Sequence, residues 1–421
     1  VIDHVLHLRC VICGAEYGAD EIEYVCPKHG PADGVLDVVY DYERITATKK
    51  TIGASSEPGM WRYRPLLPVE PDSAVPPLRV GDTPLYEVPR LADELGLGRV
   101  WVKDEGRQPT GSLKDRASAM AVVKAAESGF EVITTASTGN AAAALSGICA
   151  SVGRANVIFV PASAPAAKVA QLLAYGSTVF SVDGSYDDAF ELCLQAASAY
   201  GWYNRNTAMN PYMSEGKKTA AYELSEQLGW AVPDAVFVGV GDGCIIGGLH
   251  KGFKDLLALG WIERLPRLYG VQAAGSCFLA EAWERGEDVL TKPPAPAETV
   301  ADGIASGLPR DRVKAMAAVT ETGGAFVTVD DEQILEAIPA LAQASGVFGE
   351  PAAAAAYAGL VTAAGKGLVG PDDEVAVLNT GNGLKNAAAA REAAERSGAA
   401  ATLIAPSFDD LQRALAQKET P

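Results

Sequence analysis

Positive charge is what this sequence has too little of. Acidic residues outnumber basic ones and leave a formal charge of −18 at pH 7, which argues against nucleic acid or an anionic membrane as a main partner. The same field repels small anions, so an anionic substrate must be met by local donors. Histidine is scarce too. His4, His7, His29 and His250 show no pairing with a nucleophile or an acid–base partner, which argues against a histidine triad. No apolar run reads as a membrane span, because the longest uncharged stretch, 132–153, carries Thr, Ser, Asn and Gly throughout. No repeat of solenoid type is present. Cys149, Cys193, Cys244 and Cys277 follow no framework spacing, and the first residues show no basic-then-apolar leader. The expectation is a reducing, cytoplasmic setting.

What is present is an α/β pattern on a large scale. With 421 residues, 48% of them hydrophobic, the chain has enough apolar surface for two or three domains. From about residue 96, apolar β-branched runs recur near 99–103, 131–135, 156–160, 178–182, 235–240, 267–273, 325–329 and 375–378. Amphipathic or Ala-rich windows separate most of them. That alternation predicts βαβ units and mostly parallel sheets covered by helices on both faces. Pro351 and the five alanines after it predict one buried helix with proline in its first turn. Residues 46–80 are Pro-rich and predict aromatic-anchored loops.

Residues 1–45 stand apart. Cys10, Cys13, Cys26 and His29 form two knuckles whose spacing suits a tetrahedral structural zinc with three thiolates and one imidazole. A metal-free ribbon that keeps the knuckles as packing is the alternative. The alternation at 21–25 predicts a short strand pair between the knuckles.

Three turns carry chemistry. Lys114 lies in Pro109-Thr110-Gly111-Ser112-Leu113-Lys114-Asp115-Arg116, between a strand-like run at 100–103 and a helical run from Ala117 to Glu127. Thr110, Gly111 and Ser112 offer a turn and a cap, which places Lys114 in a first helical turn. Free N–H groups and the helix dipole there lower a lysine's pKa. Such a lysine suits a Schiff base to a carbonyl cofactor; an ordinary surface lysine is the bland alternative. Ala136-Ser137-Thr138-Gly139-Asn140 opens an Ala-rich helix and presents backbone N–H groups to a carboxylate, though it also suits a plain helix cap. The Gly-rich turn within 238–249 lets backbone approach a phosphate. It does not fit a dinucleotide fingerprint, since Ile246 holds the sixth position and no acidic residue ends a strand about twenty residues on.

Pro109 to Arg116 resembles the Schiff-base motif of the fold-type-II pyridoxal-phosphate enzymes, in particular the PTGSFKDR of threonine synthases, with Leu113 for phenylalanine. The segments at 59–68, 81–85, 171–177, 346–351 and Thr380-Gly381-Asn382-Gly383-Leu384-Lys385 resemble further stretches of that family, in its order. The resemblance implies a two-domain enzyme with pyridoxal 5′-phosphate in the cleft between domains. Residues 96–212 would form the small domain, 46–95 with 213–421 the large one, and 1–45 a zinc-ribbon-like module outside the catalytic chemistry. It implies that Lys114 holds the cofactor and that Ser137, Thr138, Gly139 and Asn140 bind the substrate's carboxylate, with Asn140 also at the cofactor's 3′-oxygen. It assigns Gly241, Asp242, Gly243, Cys244, Ile245 and Gly247 to the cofactor phosphate and the Thr380 hydroxyl to the pyridine nitrogen. A small amino-acid substrate and a homodimer are expected on the same ground.

Three positions depart from the family pattern. Ala208 and Met213 stand where serine and arginine are usual, and Ala141 where threonine is usual. These losses thin the pocket expected for the phosphate of O-phosphohomoserine, with Lys217, Lys218 and Arg205 as possible replacements. The function expected first is that of a carbon–oxygen lyase of the threonine synthase type. The second is a β-elimination or β-replacement enzyme resembling serine/threonine dehydratase or cysteate synthase. A cofactor-holding but inactive interaction protein is the third, and intact Lys114, Asn140 and Thr380 oppose it.

Overall fold

The computed structural model describes residues 2–164 and 166–418. At the N-terminus Val5–Cys10 pairs antiparallel with Glu16–Tyr17 on one side and Leu36–Tyr40 on the other. Leu36, Val38 and Tyr40 alternate inward and form a small core with Leu8, Cys10 and Cys26. The alternation at 21–25 does not become a strand. Tyr24 reaches out of the ribbon instead: its hydroxyl accepts the Asn204 N–H at 2.8 Å and its ring packs edge-on against Tyr203. That segment docks the ribbon on its neighbour, and docking wins over local pairing.

The apolar runs from residue 99 onward all become strands. Ala325–Val329, Arg267–Ala273, Ala235–Gly239, Glu374–Asn379 and Arg99–Asp104 lie parallel in that order, and the short Leu85–Glu87 adds an antiparallel edge. A second, all-parallel sheet runs Thr178–Val182, Ala155–Pro161, Val132–Ala136 and Tyr203–Asn204. Parallel neighbours need crossover connections, and the intervening helices supply them while covering the faces. Ala235–Gly239 is accordingly buried along its whole length. The helix Pro351–Gly365, predicted from its alanines, buries Ala352, Ala354, Ala355 and Ala356 against the larger sheet. Among the described residues no helix is long and apolar enough to cross a membrane.

Two helices position Lys114. Lys114–Glu127 crosses Tyr212–Gln227 so closely that a Cβ on Gly216 would lie 2.3 Å from the Arg116 carbonyl oxygen. Only glycine permits that approach. Beside the crossing, Arg116 donates to both Glu105 oxygens at 2.7 and 2.8 Å and to Glu223 at 3.1 Å, and Lys103 donates to Glu223 at 2.6 Å. All four side chains are fully buried. A second buried set joins the ribbon to the same region. Lys218 lies between Glu215 and Asp255 at 2.6 and 2.7 Å, the Tyr40 hydroxyl donates to Glu215, and the Tyr42 hydroxyl donates to Asp255 at 2.6 Å.

Candidate active site

Parallel strands from both sheets end at one cleft of about 950 Å³. Thr135, Ala136, Pro161, Gly239 and Thr380 line it at or just beyond the strands' C-terminal ends.

Lys114 is the first residue of its helix, where the sequence placed it. The expected side-chain cap is absent: Leu113 is the N-cap, and the buried Ser112 hydroxyl makes no hydrogen bond. Thr110 instead bonds Asp115 through its hydroxyl and through its N–H, the latter at 2.7 Å. The Leu113 N–H donates to the Thr380 carbonyl at 2.9 Å, so the lysine turn and the Thr380 turn are stitched together. Burial lowers the Lys114 pKa first of all, and Arg205 repels its charge further. Cys244, Asp242 and Glu350 oppose them.

Ser137, Thr138, Gly139 and Asn140 line the same cleft. Gly139 is the N-cap of Asn140–Val152, so first-turn N–H groups without intrahelical partners open there. Gly241, Asp242, Gly243, Cys244 and Ile245 form the facing wall. Gly243, at φ +90°, caps Cys244–Ala258 and turns the positive end of that helix toward the cleft. Gly247 is not part of the lining; it packs against Lys314 one turn further on.

Glu350 is a cleft residue that the sequence did not single out, because its motif reads as architectural. Its carboxylate accepts the Asn140 amide at 2.5 Å. Burial and then repulsion from Asp302 raise its pKa to about 7, against the Asn140 hydrogen bond and Lys385. The visible signal was an acid directly before a buried helix. A raised carboxylate pKa means that the folded state keeps a proton the unfolded chain loses above about 4.3. Stability from this group is therefore lost as pH rises from about 4 to 7. Glu350→Gln fixes the neutral form, so its melting temperature relative to wild type should climb between pH 5 and pH 8 in cofactor-free protein. An offset independent of pH would contradict the assignment.

The knuckle residues come together as expected. The ligand atoms of Cys10, Cys13, Cys26 and His29 all lie within 4.8 Å of one another. Cys10 Sγ is 3.6 Å from His29 Nδ1, and Cys13 Sγ is 3.9 Å from Cys26 Sγ. Tetrahedral zinc with sulfur at ~2.3 Å separates its ligands by about 3.5–3.8 Å, so the donor set fits that ion. The ribbon also reaches the cleft, which the sequence did not show. Pro31 and Ala32, just after His29, line it, and Val11 and Val35 pack with Ala208 and Cys244. Zinc held at this site would be structural, so removing it with a chelator should lower the melting temperature and raise KM several-fold more than it lowers kcat. Unchanged kinetics in demonstrably metal-free protein would show the ribbon to be independent of the cleft.

A family model described as "Pyridoxal-phosphate dependent enzyme" matches residues 77–381. The threonine synthase of Methanosarcina acetivorans is 41% identical over 381 residues, covering 90% of this chain and 92% of that protein. That of Methanocaldococcus jannaschii is 40% identical over 390 residues, covering 92% and 95%. Among solved structures, threonine deaminase isoform 2 from Solanum lycopersicum superposes with a TM-score of 0.64 at 22% identity, covering 75% of this chain and 88% of that one. That last likeness concerns the fold. The stitched lysine turn, the two helix N-termini facing one cleft and the near-full-length likenesses lead to one conclusion: the chain belongs to the pyridoxal-phosphate dependent enzymes, in the threonine synthase family.

Proposed function

We propose that this chain is a threonine synthase, converting O-phosphohomoserine and water to threonine and phosphate. The observation that carries the reading is a near-full-length likeness to threonine synthases in a chain whose Lys114, Asn140 and Thr380 open on one cleft. The cleft fits pyridoxal phosphate: it offers a lysine amine that opens into it and a helix N-terminus at Gly243. When bound, the cofactor supplies an electron sink for a carbanion next to the substrate's amine.

The residues divide the work as follows. Lys114 would hold the cofactor and, once displaced by substrate, carry protons between substrate carbons; its lowered pKa keeps a neutral amine accessible for this. The N–H groups at Ser137 to Asn140 would hold the carboxylate, with Asn140 fixed by Glu350. Gly241 to Ile245 would take the cofactor phosphate. The Thr380 hydroxyl would meet the ring nitrogen, and a hydroxyl there favours elimination and replacement over transamination. We further propose a cytoplasmic homodimer whose 96–212 segment forms the small domain.

A second reading, a dehydratase for serine or threonine, is favoured by one observation. Ala208 and Met213 offer no donor to a substrate phosphate. Parallel assays with O-phosphohomoserine, serine, threonine and O-phosphoserine separate the two. Phosphate release from the first substrate alone supports threonine synthase, and an oxo acid with ammonia from serine or threonine overturns it.

A further inference from the structure

Two buried cations, one lining the cleft and one close to the first and to Lys114, have no ion-pair partner among the described residues. Arg205 lines the cleft and is 1% exposed. Its Nε donates to Ser118 Oγ and its Nη1 to Thr207 Oγ1, both at 3.2 Å, while Nη2 makes no hydrogen bond. Lys217 is fully buried, and its Nζ makes no hydrogen bond. Its pKa is lowered to about 8 by burial first, with Lys114 and Arg205 repelling it and Cys244 and Asp311 opposing them. An unpaired charge away from water is costly, so the arrangement calls for an anion. Asp311 is near enough to offset Lys217 in part. Asp115, the carboxylate whose charge Arg205 feels, is already bound by Thr110.

The other positions that the sequence analysis weighed for an anion contact are closed off. Met213 is buried in the apolar core with Leu67 and Met120. Lys218 is saturated by Glu215 and Asp255. Ala208 packs on Val35 and Cys244. Arg205, in contrast, follows directly on the strand Tyr203–Asn204, and its N–H donates to the Thr134 carbonyl at 2.9 Å. Thr134 is on the strand that leads into the Ser137–Asn140 turn. A carboxylate held at that turn and a second anion held at Arg205 would thus be received by adjacent strand ends of one sheet.

We propose that Arg205, backed by Lys217, binds the phosphate group of the substrate and replaces the arginine absent at position 213. This rests on the threonine synthase reading. The same chemistry, a phosphate monoester, could also come from the cofactor, and the experiment separates the two sources.

The test compares Arg205→Met, Arg205→Lys and Lys217→Gln with wild type as full-length holoenzymes. Arg205→Met should raise KM for O-phosphohomoserine roughly ten- to a hundredfold, with a smaller fall in kcat and a parallel loss of inhibition by inorganic phosphate. Arg205→Lys should recover part of both, since it keeps the charge but not the fork. Lys217→Gln should move both in the same direction by less. The cofactor's visible band and its apparent affinity should not change. Unchanged KM and phosphate inhibition in Arg205→Met, or in Arg205→Lys and Lys217→Gln together if Arg205→Met does not fold, overturns the proposal. So does weakened cofactor binding with KM intact, which gives the cations to the cofactor's own phosphate. Failure of wild type to form threonine would instead defeat the functional reading. Inorganic phosphate titrated against the visible band would then decide the site: a shift lost in Arg205→Met sustains it, and no shift in wild type overturns it.

Discussion

Lys114→Ala abolishes threonine formation, by about a thousandfold or more, and removes the visible absorbance that the cofactor gains when held covalently. The expectation follows from position. Lys114 is the first residue of a helix that opens on the cleft, and the Leu113–Thr380 hydrogen bond fixes its turn. Among the described residues its ammonium has no ion-pair partner, so the substitution leaves no buried charge behind and the fold should survive. Absorbance spectra of the reconstituted variant, beside a circular dichroism melt, check both halves. A folded variant with an unchanged visible band would remove Lys114 from the centre of the mechanism.

Arg116→Met should destabilise the fold by about 3–5 kcal/mol, the usual consequence of removing one partner of a buried ionic set. Glu105 and Glu223 would keep their neutral donors, Thr83 among them, but with Lys103 as the remaining cation of the set, in a site closed to water. The pH dependence has a definite sign. Burial by itself would raise the Glu223 pKa, but Arg116 and Lys103 outweigh it and hold it at about 2. That contribution is present above the unfolded value near 4.3 and is lost as pH falls toward 2. In the variant the carboxylates take up protons at higher pH, so its deficit against wild type should shrink as the solution is acidified from pH 7 to pH 4. Denaturant unfolding at several pH values measures both. A deficit below 1 kcal/mol would mean that the set does not hold the Lys114 helix in place.

The sequence disclosed eight of the ten strands in the two large sheets because parallel strands under helices are written as apolar runs, whereas the short Leu85–Glu87 and Tyr203–Asn204 carry no such run. The turns at Ser137 and Gly241 were legible for a related reason, since their small residues suit an approach of backbone to a ligand, and the turn at Lys114 was legible because small residues set a lone lysine at a helix start. What could not be read was direction. Arg205, Lys217 and Lys218 look alike in the sequence. The fold saturates Lys218 with two carboxylates and, among the described residues, leaves the other two without an ion pair. Glu350 was hidden because its acid lies more than two hundred residues from its partner Asn140. The segment at 21–25 misled because its alternation serves docking through Tyr24, a contact made 180 residues away.

Turnover of O-phosphohomoserine in water enriched in oxygen-18 shows directly which bond the enzyme breaks. Elimination followed by water addition breaks the carbon–oxygen bond. Threonine should therefore carry one labelled hydroxyl, and an equal amount of phosphate should carry no label. Label in the phosphate, with homoserine as the product, would mean hydrolysis at phosphorus, and the enzyme would be no threonine synthase.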